Sequence, residues 1–438
     1  MNKNERIGFR LFSAISVFSL VLLGILSALP EKPLYIKAQK IFTSDEAGVL
    51  EGGALMIEGA KIVKLEKRAK PPQNARVLDF KDKVVVPGFI DAHSQIGFHE
   101  EDFNVKTEPP APWAFSPWSV AKKPLPPPLI EARFGAAEAV YYGDDCFMKF
   151  LAEGITSTAI FIPTNNLVGG TSCAVKLGAR THSEFILKET LGGEFALAGT
   201  ENVMERYGDL KKIFLDAIEY KKKFEKYQKD LKAYQEKKTE VVTAKPAEEP
   251  KEPKKDENQE VILQILDRKI PAFIRASRIN EIEAALKLRT EFKIDAVLVG
   301  GQEAYKLADV LSREKIPVIA GPESVYILRG EKIGYLKDLV NKGVPVGFSS
   351  QSGVGALFLL FQLTYAIQYG LTEGEALAIL TINAARTLGI SDQVGSLHEG
   401  KDADFLVLSG EPFRMNTKVE KVFVNGRQVY SSGEEGRR

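Results

Sequence analysis

Histidine is the scarcest chemical resource in this chain: four imidazoles in 438 residues must supply any metal site or proton relay. Few metal-centre designs survive that limit. Cysteine is nearly absent too, and Cys146 and Cys173 can build neither a zinc-thiolate site by themselves nor a disulfide framework. A bridge between the two stays open; two small buried side chains is the favoured reading. An excess of charge of one sign is also missing. With 59 Lys and Arg against 58 Asp and Glu, the net charge of +1 gives no overall attraction to nucleic acid or to an acidic surface. What is present, 44% hydrophobic and 27% charged residues, fits a globular protein with a substantial core. The length suits one large barrel or about two to three ordinary domains.

The N-terminus is the most apolar part of the chain. Lys3, Arg6 and Arg10 precede a stretch from Leu11 to Pro30 without a single charge, the pattern of an export signal or an uncleaved anchor. Residues 1–30 are therefore expected to direct the rest of the protein out of the cytoplasm, to the periplasm or the cell exterior, with membrane contact confined to that segment.

Residues 34–85 read as short alternating strands (LYIKAQKIFT, GALMIEG, KIVKLE, ARVLDF). The stretch 394–432 has the same character and carries a hairpin signal at Asn425 and Gly426. The two ends are expected to pair as one composite β-sandwich domain of antiparallel strands. Between them, over residues 86–393, apolar runs alternate with helical stretches: VVVPGFID, GITSTAIFI, CAVKLGA, AFIRAS, DAVLVGG, PVIAGP and PVGFSSQ. Buried parallel strands with crossover helices have this rhythm, and an eighth strand hidden near residues 183–198 would close an α/β (β/α)8 TIM-like barrel. Residues 205–260 interrupt it with a Lys- and Glu-rich helix carrying Tyr207, Phe214, Tyr220, Phe224, Tyr227 and Tyr234, then a charged linker. This insertion is expected to lie outside the barrel as a packing edge or as an arm for a partner, and its mixed charge speaks against nucleic acid.

In a barrel the reacting groups sit where strands end. The first barrel strand ends in Asp91, Ala92, His93, Ser94 and Gln95. PGFIDAHS, together with GLTEGEALAILTINAARTLGISDQVGSLHEGKDADFLVL, resembles the amidohydrolase superfamily in its imidazolonepropionase-like branch. The resemblance covers most of the chain after residue 34. It implies a metal-dependent hydrolase fold in which a His-x-His pair, a mid-barrel lysine or glutamate, two further histidines and a final aspartate hold one or two divalent ions. Such ions activate water, whose proton the aspartate takes.

Against that pattern this chain departs at nearly every position. His93 matches, but Gln95 stands at the second histidine, Arg275 and Gly300 stand where the next two are expected, and Gln351 replaces the aspartate; Glu194 is the candidate for the mid-barrel ligand. Glutamine neither ionises nor serves as a base near neutrality, and a permanently protonated guanidinium repels a divalent cation at contact distance. His93, alone or with His99, could hold at most a weak ion, and a core histidine satisfied by hydrogen bonds is the plainer reading. His182 and His398 read as surface residues. Arg275 either fills the vacated position as a fixed cation paired with Asp91 or Glu194, or points to solvent at an unused site.

Two functions follow. One is a non-catalytic pseudoenzyme without cofactor, a binding or partner subunit beside its own copies or an active amidohydrolase relative. The other is a hydrolase of carbon-nitrogen bonds with an atypical site around His93, Arg275, Glu194 and Gln351, with a divalent metal such as zinc only in that case. A phosphate loop at Gly169 and Gly170 lacks its Lys-Ser/Thr ending, and no histidine is placed to activate Ser350 or Ser352. The Pro- and Trp-rich segment from Glu108 to Pro128 reads equally as a lid and as an ordinary cover.

Overall fold

Runs rich in Val, Ile and Phe form the strands, and their pairing sorts them into two large sheets. A computed structural model of the protein describes residues 32–67, 70–98, 130–199, 202–240 and 249–433. The N-terminal segment 1–30, His99 and the loop from Glu108 to Pro128 lie outside these residues. Among the described residues no helix is long and apolar enough to cross a membrane.

The first sheet begins with β1 (Leu34–Phe42), β2 (Val49–Glu51), β3 (Gly53–Glu58), β4 (Lys61–Lys67) and β5 (Arg76–Pro87). The second holds β6 (Phe89–Ser94), β7 (Ile155–Ile160), β8 (Val168–Lys176), β9 (Ile186–Ala196), β10 (Ala272–Ala276), β11 (Ala296–Gly300) and β12 (Val318–Ala320). A small hairpin follows, β13 (Tyr326–Leu328) and β14 (Glu331–Ile333), before β15 (Val346–Phe348) completes the second sheet. Then β16 (Phe405–Leu408), β17 (Val419–Val424) and β18 (Arg427–Ser431) return to the first.

The first sheet runs β18-β17-β16-β5-β1-β3-β4, with β2 on β1. The ladder is continuous and joins strands from both chain ends into the expected composite β domain, one sheet curled around a core of Ile36, Leu55, Val85, Phe405 and Phe423. The expectation of antiparallel strands throughout is corrected, because β1 and β5 pair parallel from Leu34 opposite Arg76 to Ile41 opposite Val85. Asn425 and Gly426 both take left-handed backbone conformations at φ 51 and 71, as a tight hairpin turn between β17 and β18 demands. A side chain at Gly426 would meet the Gly59 carbonyl oxygen at 2.8 Å, so glycine lets the two ends of the curled sheet touch.

The second sheet is the barrel, in the order β15-β12-β11-β10-β9-β8-β7-β6. The hidden eighth strand is β9. One expectation is corrected: β8 runs antiparallel to both β7 and β9. Only the short turn Phe161–Leu167 separates β7 from β8, too little chain for the crossover that a parallel neighbour requires. Inside, Ile90, Ala92, Ala159, Ala174, Phe273, Val297 and Ile319 converge with Ala384 and Leu388 from the helix Ile382–Leu388. Because strand side chains alternate, Phe273 places Arg275 on the same inward face, nearer the carboxyl end of β10.

The charged insertion is also corrected. The helix Val203–Glu240 begins as part of the barrel wall, with Tyr207, Leu210, Ile213, Phe214 and Ala217 buried. Phe214 stacks between Phe195 and Phe292 at centroid distances of 5.4 and 4.8 Å. The aromatic spacing does mark a packing edge, but one turned toward the barrel wall. Beyond it, Asp256 caps the helix Glu257–Leu266, whose Ile262 and Ile265 are likewise buried, so the insertion's far end also rejoins the wall.

Candidate functional site

Where β6 and β15 meet, the barrel closes through side chains and loops. Ser350 donates to Asp91 through its backbone N at 2.9 Å and through its hydroxyl, while Gln351 N donates to the His93 carbonyl at 3.0 Å. The His93 backbone N also donates to Asp91 at 3.3 Å. Asp91 is fully buried, and burial pushes its carboxyl up to about 6, with the bonds from Ser350 and His93 opposing the rise. This residue is a staple across the seam of the barrel.

A folded-state pKa above the unfolded value near 3.9 means the native state holds the proton more tightly. The resulting stability is complete below about pH 4 and is lost as pH rises through about 6, a change of about 3 kcal/mol. Asp91→Asn, which keeps an acceptor and cannot ionise, should remove this term. Urea denaturation between about pH 4 and pH 7 should then show the wild type losing about 3 kcal/mol more than the variant over that window. Parallel profiles would remove Asp91 as the titrating staple.

Above the staple, His93 is buried and stacks on Phe161 at 4.1 Å between centroids. The expectation of a hydrogen-bonded core histidine is corrected, because neither ring nitrogen has a hydrogen-bond partner among the described residues. Its Nε2 lies 3.8 Å from Oε1 of Glu194, which is 1% exposed on β9. Arg275 completes the group: Nε sits 3.0 Å from the same Glu194 oxygen, and an Nη2 hydrogen is donated to the Thr164 carbonyl at 3.2 Å. Arg275 therefore pairs with Glu194, not with Asp91 and not with solvent. Gly169 keeps the space beside Glu194 open, since a Cβ there would come within 2.7 Å of Thr164 and 3.2 Å of Glu194 Oε2.

The remaining sequence candidates do not join this group through side-chain contacts. Gln351 stands in a left-handed conformation at φ 57 and donates its side-chain amide to the Gly321 carbonyl at 3.0 Å. Gly300 ends β11 without a side chain, and Gln95 is half-buried after β6. His182 and His398 are exposed, and the two cysteines are buried and form no disulfide with each other, with burial raising the Cys173 thiol to about 12.

A divalent ion does not fit this donor set. Metal–ligand bonds of about 2.1 Å to Glu194 and His93 would place the ion against a guanidinium already 3.0 Å from that carboxylate. Among the described residues, no group of three or more His, Cys, Asp or Glu side chains is arranged to hold a metal. A second guanidinium lies nearby on Arg206, donated to the carbonyls of Ala196 and Ala198 at 3.1 and 2.9 Å. Burial, then the charge of Arg275, lowers its pKa. The strand ends thus present cations beside an imidazole with both nitrogens free.

Sequence reasoning missed Asp91 as a seam staple and a second buried cluster around Lys176. Lys176 Nζ reaches Asp402 at 2.5 Å, Asn425 at 2.7 Å and Asp404 at 3.0 Å, tying β8 to the loop before β16 and to the β17–β18 turn. A lysine inside the apolar run CAVKLG and two acids bracketing Ala403 were the available signals.

The chain matches the amidohydrolase family over residues 84–429. Imidazolonepropionase from Thermoplasma volcanium is 35% identical over 103 residues, covering 21% of this chain and 25% of that protein. Imidazolonepropionase from Symbiobacterium thermophilum is 33% identical over 127 residues, covering 27% and 30%. The chain thus aligns with less than a third of the length of these curated relatives. Among solved structures, an amidohydrolase from Thermotoga maritima superposes with a TM-score of 0.70 at 28% identity, over 91% of this chain and 100% of that one. A Xaa-Pro dipeptidase superposes at 0.53 with 13% identity, over 91% and 100%, a likeness of fold alone.

Proposed function

Because the chain belongs to the amidohydrolase superfamily, in its imidazolonepropionase-like branch, we propose that it is a member whose metal centre has been replaced by a salt bridge and whose barrel mouth binds a small anionic ligand. The observation that carries this reading is the 3.0 Å ion pair between Arg275 and buried Glu194. That pair gives the barrel interior an internal cation, as a metal would, without a site for activated water. Gln351, an amide, supplies no general base. The half-exposed face of Arg275, the guanidinium of Arg206 and the free nitrogens of His93 suit a carboxylate or similar anion.

Metal analysis tests this. The full chain purified without chelators should carry less than about 0.1 equivalent of zinc, iron or manganese; a stoichiometric ion would overturn the reading. A second reading, hydrolysis of carbon-nitrogen bonds without a metal, is favoured by the unpartnered imidazole of His93 beside Glu194. It requires turnover on a panel of dipeptides and cyclic amides that His93→Ala lowers by at least about a hundredfold, the scale of a lost acid-base group. In either case we infer an exported protein, supported by the basic and then apolar residues 1–30, and a contact arm in the largely exposed stretch 222–236 of the helix Val203–Glu240.

A further inference from the structure

A cleft lies away from the barrel mouth, at the end of the curled sheet where Gly59 and Gly426 meet. Its volume is about 1080 Å³. Leu34, Ile57, Leu78, Phe80 and Phe423 give it an apolar floor, while Lys32, Arg76, Arg180, Lys421 and Arg427 stand around it. Among the described residues no Asp or Glu lines it. Arg427 is neutralised by a two-pronged bond to Glu184 at 2.6 and 3.1 Å; hydrogen bonding from Arg427 holds the Glu184 carboxyl down to about 2, with the charge of Arg180 contributing less. Lys421 reaches the Ser431 hydroxyl at 3.3 Å, and Lys32, Arg76 and Arg180 have no ion pair among the described residues.

Like charges gathered around a concavity repel one another and concentrate counter-anions there, since the low-dielectric wall focuses their field. A mere solvated rim needs no hollow and no exposed hydrocarbon beneath it. Here Leu34, Leu78 and Phe80 are only partly buried by the core they pack against, so the floor keeps apolar surface open to an occupant. Charge selects an acidic head and the floor selects a hydrocarbon tail.

We propose that this cleft binds an anionic amphiphile, with its acidic head against Arg76 and Arg180 and its tail over Leu34, Leu78 and Phe80. The site is independent of the barrel mouth and of the reading given above. The test is calorimetric titration of the full chain with octyl phosphate below its micellar concentration, with inorganic phosphate and octyltrimethylammonium as comparison probes. Octyl phosphate should bind at least about tenfold more tightly than inorganic phosphate, the ammonium should not bind, and Arg76→Glu/Arg180→Glu should weaken octyl phosphate at least about tenfold. Both arginines are exposed, so the double variant should fold, and an unchanged melting temperature checks that it does. The milder Arg76→Gln should weaken binding in the same direction. Equal affinity for octyl and inorganic phosphate, or wild-type affinity in the folded double variant, would overturn the proposal.

Discussion

Arg275→Met is expected to destabilise the protein by about 3 kcal/mol, read as a lower urea midpoint, because it leaves Glu194 without its cation inside the barrel. The cost is asymmetric. Glu194 is 1% exposed whereas the Arg275 side chain is 28% exposed, so water can serve the arginine far better than the carboxylate. Glu194→Gln alone should therefore cost less, about 1 kcal/mol, and Arg275→Met/Glu194→Gln should recover about 2 kcal/mol of the loss seen in the arginine variant. That recovery is the decisive readout. A protein in which Arg275 merely drifted over an unused site would lose little in the single variant and regain nothing in the double.

This pair also marks how far the sequence could be read. The barrel was legible because apolar runs of strand length alternate with amphipathic helices, and its hidden strand β9 emerged from that count. The antiparallel course of β8 was not legible, since an apolar run looks the same in either direction. Only the shortness of Phe161–Leu167 carried the information. Tyr207 and Phe214 were legible as a packing edge, but not as part of the barrel wall. Their charged neighbours dominate the composition, while two faces of one helix can serve a wall and solvent at once.

At the site, the departures at Gln95, Arg275, Gly300 and Gln351 could be placed by motif. The carboxylate partner of Arg275 was left open there between Asp91 and Glu194. The 3.0 Å approach of Arg275 to Glu194 joins residues 81 positions apart in sequence, on neighbouring strands whose register only the fold sets. The free imidazole of His93 was likewise invisible, because its isolation depends on Phe161 covering one face. Pattern named Arg275 and two candidate carboxylates, and tertiary geometry chose Glu194 between them.

The second large effect is predicted at Lys176, where the barrel is fastened to the curled sheet. Its ammonium is 2% exposed; burial works to lower its pKa, but Asp404 and Asp402 outweigh that and hold it above the ordinary lysine range. Lys176→Met should cost about 3 to 5 kcal/mol in chemical denaturation, the scale for stripping a buried pair of one partner. The two aspartates are not equivalent in the aftermath. Asp402 keeps Lys61 at 2.7 Å, whereas Asp404, 4% exposed, keeps the backbone N of Asn425 at 2.7 Å and no cation among the described residues. Adding Asp404→Asn to Lys176→Met should therefore restore more stability than adding Asp402→Asn, by about 1 to 2 kcal/mol. Equal recovery would mean that both carboxylates are wet once the lysine is gone and that no dry fastening exists. Because Asn425 bonds Lys176 and also lines the cationic cleft, loosening this fastening should weaken octyl phosphate binding in Lys176→Met. Arg275→Met, on the other side of the barrel's chemistry, should leave that binding unchanged.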